Sequence, residues 1–163
     1  MKKQIQKIFL FIFIVTILTS IDQFTKYAVT KYLKEGSKII LLNDIFEIFY
    51  YENNGAAFGI LKGQQLFFYV ITITIFIFII YYIYKMKLSK KMFPLFLNIS
   101  LLTAGALGNF IDRVRLKYVV DFIYFKPIDF PVFNVADMYI TISCILFIYL
   151  IMFYYKNEDF KNQ

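Results

Sequence analysis

Between Leu66 and Tyr84 the chain runs for nineteen residues without a charge. An α-helix rising about 1.5 Å per residue needs roughly that length to cross a hydrocarbon core of ~30 Å. Three other stretches fall in the same class. The first is apolar from Ile8 to Ile21, then meets Asp22 and Lys26 and ends near Leu33. Another is uncharged from Phe93 to Ile111 but carries Asn98, Ser100, Thr103, Gly105, Gly108 and Asn109, as expected of a helix packed inside a bundle. The last runs from Met138 to Tyr155. Of the 163 residues 60% are hydrophobic, against roughly 45–50% in soluble domains, and one soluble core of this size cannot hide them. The excess faces lipid.

The expected fold is therefore a membrane all-α bundle with a small β part. It reads as one integral-membrane domain, 1–163, with four transmembrane helices at about 8–33, 66–84, 93–112 and 138–155. The segment Ile45–Glu52, rich in Phe, Tyr and Ile, and the run around Tyr118, Val119 and Val120 favour β structure. Together they predict an extracytoplasmic β platform at the mouth of the bundle. Lys2, Lys3 and Lys7 before an apolar run look like the start of a secretory signal peptide. Asp22, Gln23 and Lys26 follow it, however, with no A-x-A cleavage site, so the segment is expected to stay as the first span.

The net charge of +7 is explained by topology. Nine lysines (Lys2, Lys3, Lys7, Lys85, Lys87, Lys90, Lys91, Lys156 and Lys161), against Glu158 and Asp159, fall at one end of the four spans, and the remainder balances to zero. By the positive-inside rule both termini and the KMKLSKK loop are cytoplasmic. A nucleic-acid partner is not needed.

Two absences narrow the chemistry. The chain has no histidine and a single cysteine, Cys144, which removes Ser-His-Asp and Cys-His catalysis, Cys/His zinc sites and an internal disulfide. What remains for chemistry is carboxylates, Lys, Tyr or that single thiol, and a carboxylate mechanism calls for no metal and no cofactor. Asp121 in VVDFI and Asp137 in FNVAD each sit among apolar residues at the outer membrane surface. Burial raises a carboxylate pKa, and two close carboxylates share a proton, giving a general acid and a general base. The simpler alternative makes Asp137 a helix cap.

Asp22 and Lys26, four apart on one helix face, are either a bundle-stabilising pair or a functional one. Arg113 is either a fixed cation for a substrate oxygen or the partner of Asp112. Asn134 either orients a carboxylate or is a turn residue. A rival function is a small ion or proton transporter relaying through Asp22, Lys26, Asp121 and Asp137. It would place polar residues through the whole membrane depth, whereas the cytoplasmic halves of the second and fourth spans lack charges.

The motifs DQFTKY (22–27), NNGAAFGIL (53–61), GALGNFIDR (105–113), VVDFI (119–123) and FNVAD (133–137) occur in the order and spacing of one family. In them the chain resembles the lipoprotein signal peptidases, or type II signal peptidases. The resemblance implies a four-helix bacterial membrane aspartyl endopeptidase in the cytoplasmic membrane, its active site at the outer face. Its substrate would be a diacylglyceryl-modified prolipoprotein, cut before the lipid-modified cysteine. Asp121 and Asp137 would be the catalytic pair, and Asn53, Asn109, Arg113 and Asn134 would contact substrate. Asp22, Lys26, Gly55 and Asp112 would be structural support, with Gly55, Ala56 and Ala57 leaving room for a substrate strand. Membrane lipid is the other expected partner, and a monomer the expected state.

Overall fold

The computed structural model describes residues 2–55, 61 and 63–161. Helices dominate because a backbone in lipid must satisfy its own hydrogen bonds. Four of them are long and apolar enough to cross a membrane: α1 (Lys2–Leu33), α2 (Gln65–Lys85), α3 (Phe93–Leu116) and α4 (Val135–Tyr149), the last continued by a π turn over Leu150–Tyr154. Three strands, β1 (Lys38–Leu42), β2 (Phe46–Asn53) and β3 (Val119–Phe125), form one antiparallel sheet in that order. A short helix, α5 (Asn157–Lys161), follows α4.

In α1 the buried residues are Lys7, Phe11, Val15, Thr19, Asp22, Lys26, Val29 and Leu33. Steps of three and four place them on one stripe, while Phe9, Phe13, Ile17 and Phe24 point away from the bundle. α3 is the interior helix. Phe96, Ala104 and Ser100 are fully enclosed, and its polar residues Asn98, Thr103, Asn109 and Asp112 are buried with them. α2 buries only Ile83, so most of its surface is left for lipid.

Three helices extend beyond the apolar runs that mark them in the sequence. α1 starts at Lys2, where Lys7 Nζ donates to Tyr84 O and Met86 O at the end of α2. α3 continues past Asp112 to Leu116 and stops at Lys117, whose left-handed backbone (φ 72°) ends the helix. α4 begins at Val135, three residues before Met138, because Asn134 caps it.

Two close approaches lock α3 into the bundle, and both require glycine. A Cβ on Gly105 would stand 2.5 Å from Ala136 O in the first turn of α4, and one on Gly108 would run into the Asp22 carboxylate of α1. At Gly105 helix α3 thus meets the backbone of α4, and at Gly108 it makes room for a side chain of α1, as small residues allow in membranes.

The β platform sits at one end. β2 pairs with β1 (Ile39↔Ile48) and with β3 (Tyr51↔Asp121, Asn53↔Val119), and the second pairing shifts register between Ile48 and Tyr51. Side chains alternate along β3. Phe122 packs on Val29 and Leu33 of α1 in a small second core, while Val119 and Asp121 line a cavity. The loop after β3 turns back so that Phe133 N donates to Ile123 O at 3.0 Å and Ile123 N donates to Phe133 O at 2.8 Å. That backbone clasp sets Asn134 beside β3.

Candidate active site

Asp121 is 1% exposed. Its two oxygens each accept from an amide: Oδ1 from Asn134 Nδ2 at 2.6 Å and Oδ2 from Asn53 Nδ2 at 2.8 Å. Asp137, on the first turn of α4, accepts from Asn109 Nδ2 at Oδ1 (2.8 Å) and from the Asn134 backbone N–H at Oδ2 (3.1 Å). Asn134 Oδ1 in turn accepts from Asp137 N at 3.0 Å, closing a capping box. Asp137 is thus both a cap member and a lining residue of the cavity. Asn134 holds Asp121, one of its two readings in the sequence, and in place of an ordinary turn residue it is the cap of α4.

The cavity measures about 590 Å³ and contains Asn53, Asn109, Arg113, Asp121 and Asp137, against an apolar wall that includes Phe130, Met138 and Ile140. Among the described residues neither carboxylate in it forms an ion pair. Burial, and then the charge of Asp137, push Asp121 up to about 7, against the opposing hydrogen bonds of Asn53 and Asn134. Asp121 thus exchanges its proton near neutral pH.

Behind the cavity lies a buried charge knot. Lys26 Nζ pairs with Asp22 Oδ2 and Asp112 Oδ2, both at 3.0 Å, and donates to Asn109 Oδ1 at 2.9 Å. Asp22 Oδ1 accepts from Ala136 N at 2.9 Å, and Asp112 Oδ2 from Val120 N at 3.1 Å. The knot therefore ties α1 and α3 to the start of α4 and to β3, and Lys26 fixes the face that Asn109 turns to Asp137. Lys26 is the one cation shared between the two carboxylates of this knot.

Arg113 is not paired with Asp112, because Asp112 is taken by Lys26. The guanidinium instead donates to Gly55 O at 3.2 Å and lies over the Phe68 ring, 4.4 Å from its centre. Gly55 is buried, with its N–H donating to Asn53 Oδ1 at 2.9 Å. Ala56 and Ala57 lie outside the described residues.

One buried and one half-buried carboxylate, steered by amides, thus share a cavity at the end of a four-helix bundle, and the chain that carries them has close relatives. Residues 14–153 match the family model for signal peptidase (SPase) II. The chain belongs to the signal peptidase II family. It is an aspartic peptidase of the multi-pass bacterial membrane kind. It is 38% identical over 155 residues to the lipoprotein signal peptidase of Clostridium tetani, covering 93% of this chain and 96% of the relative. Against that of Streptococcus pyogenes it is 38% identical over 156 residues, covering 94% and 97%. A solved bacterial membrane enzyme, determined at 2.3 Å by the in meso method, superimposes with a TM-score of 0.78 at 42% identity, over 87% of each chain.

Within this signal peptidase II chain, the singled-out residues that are described converge: the aspartate pair, Asn53, Gly55, Asn109, Arg113 and Asn134 around the cavity, and Asp22, Lys26 and Asp112 behind it. Sequence reasoning missed Gln23 and Tyr69. Gln23 Nε2 donates to Asp112 Oδ1 at 2.9 Å and Gly108 O at 3.2 Å, while Tyr69 Oη donates to Arg113 O at 2.7 Å. A second polar residue directly after Asp22, within an apolar span, was the available signal for Gln23.

Proposed function

We propose that the chain cuts diacylglyceryl-modified prolipoproteins just before the lipid-modified cysteine, using Asp121 and Asp137 as its acid–base pair. The observation that carries this reading is the shared cavity, where both carboxylates are held by neutral amides. The ionised member takes a proton from water, and the resulting hydroxide attacks the scissile carbonyl. The protonated member polarises that carbonyl and then helps protonate the leaving amine. One proton between the two carboxylates is enough for this cycle.

Asn53 and Asn134 orient Asp121, and Asn109 orients Asp137. Arg113, stacked on Phe68 and anchored to Gly55 O, offers its remaining N–H groups to a carbonyl or ester oxygen of the substrate. The apolar wall along α4 suits a diacylglyceryl group lying beside the helices while its cysteine reaches the carboxylates. The bundle works as a monomer with its termini in the cytoplasm and the aspartates at the outer face. The decisive test is incubation of the purified protein with a diacylglyceryl-modified and an unmodified prolipoprotein. Mass measurement should show a new mature amino terminus at the modified cysteine only; cleavage of both, or neither, would overturn the proposal.

A further inference from the structure

At the end of the bundle opposite the aspartates, a cavity of about 300 Å³ opens between the start of α1 and the end of α2. It is lined by Lys3, Gln4, Lys7, Lys85, Lys87 and the backbone around Met86. Lys7 is its built element, since it is only 6% exposed although it carries an ammonium group. Its Nζ donates to Tyr84 O at 3.1 Å and Met86 O at 2.6 Å, and Gln4 Nε2 adds a bond to Tyr84 O at 3.3 Å. These are carbonyls at the C-terminus of α2, where the helix dipole leaves partial negative charge.

An ammonium group has three N–H donors. Two are used, both on neutral carbonyls, and the third finds no acceptor among the described residues. Nor does Lys7 form an ion pair there. A buried cation ordinarily has a counter-charge, and none of the residues lining this cavity is acidic. The site is therefore electropositive, polar, and placed where a membrane-spanning helix meets the headgroup layer. Basic pockets between helix ends at that depth suit lipid phosphates.

We propose that this cavity binds one anionic phospholipid, its phosphodiester accepting from Lys7 and from the rim lysines Lys3 and Lys85. The same cation then braces α1 against α2 from one side and holds the lipid from the other. This site does no chemistry on the substrate and is independent of the proposed cleavage reaction.

The test uses the full-length protein in detergent, with native mass spectrometry reading the number of retained lipids. Phosphatidylglycerol, phosphatidylcholine and inorganic phosphate are the three probes. One phosphatidylglycerol per chain should be retained in preference to phosphatidylcholine. Each rim lysine removed should lower that affinity about five-fold, the general worth of one basic residue at a lipid surface. Lys7→Gln should abolish the preference. Because that variant disturbs the α1–α2 tether, Lys3→Gln/Lys85→Gln serves as the fold-preserving one, expected to lose about 25-fold. The charge-matched control Lys90→Gln/Lys156→Gln, outside the cavity, should retain the single lipid. Equal loss in the control would mean a diffuse basic surface and overturn the proposal. So would equal retention of phosphatidylcholine, or displacement of the lipid by inorganic phosphate at equal concentration, which would make the site one for free phosphate.

Discussion

Asn134 donates to Asp121 Oδ1 at 2.6 Å while its own Oδ1 caps the fourth helix. One side chain thereby joins the strand that carries one carboxylate to the helix that carries the other. The two aspartates are sixteen residues apart in the chain, and this amide sets their relation in space.

Asp121→Asn and Asp137→Asn should each lower turnover per folded molecule by about 10²–10⁴-fold, the usual contribution of a positioned acid or base. Asn keeps the shape and cannot exchange the proton. The double variant should be little worse than either single one, since members of one catalytic unit are not additive. Near-wild-type turnover in either single variant would remove the pair from the mechanism.

Asn134→Ser tests positioning. Serine caps a helix about as well as asparagine, so the melting temperature should stay close to wild type. It has no amide to give Asp121. Since that donation holds the Asp121 pKa down, its loss should move the limb of the pH–rate profile near 7 to higher pH, together with a fall in kcat. An unchanged profile would assign Asn134 to capping alone.

Stability should depend on pH through Asp121. Its folded pKa of about 7 lies above the ordinary carboxylate value of 3.8, so the folded state holds the proton more tightly than the unfolded one. That contribution is complete below about pH 4 and is lost as pH rises toward 7. Asp121→Asn removes it. The melting temperature of wild type relative to Asp121→Asn should fall between pH 4 and 8, and a constant difference would contradict the assigned shift.

Gly108→Ala should act on folding. The added methyl group meets the Asp22 carboxylate, which is fully buried and paired with Lys26. Overpacking of this kind costs about 1–3 kcal/mol, so the yield of folded protein and its melting temperature should drop. Turnover per folded molecule should change less. Asp22→Asn should behave the same way. A variant that folds normally but has lost turnover would place the knot in the chemistry itself.

Topology is checked by labelling. Single cysteines placed at Lys87 and at Lys126, in a Cys144→Ser background, should react from opposite sides of the membrane. Reaction from the same side would displace the proposed active site from the outer face.

Much of this protein was legible from its sequence for a simple physical reason. A membrane span must be long and apolar, so length and hydropathy alone mark the four helices, and any polar residue inside them stands out as a costly exception. Asp22, Lys26 and Asn109 were visible on that ground, and Asp121 and Asp137 as carboxylates set among apolar residues just outside the spans. Their partners were not. Whether Asp112 pairs with Arg113 or Lys26 depends on which face of α1 meets α3. That is settled by the glycines that let α1 and α4 approach α3, and by the buried stripe that rotates Lys26 inward. In the same way, Asn134 reads as a turn residue or an orienting amide until the Phe133–Ile123 clasp brings it against β3. Sequence determines which residues leave water and at what depth; the choice among equally short-ranged partners belongs to packing, because hydrogen bonds and ion pairs are decided over distances of about 3 Å that only the assembled helices and sheet define.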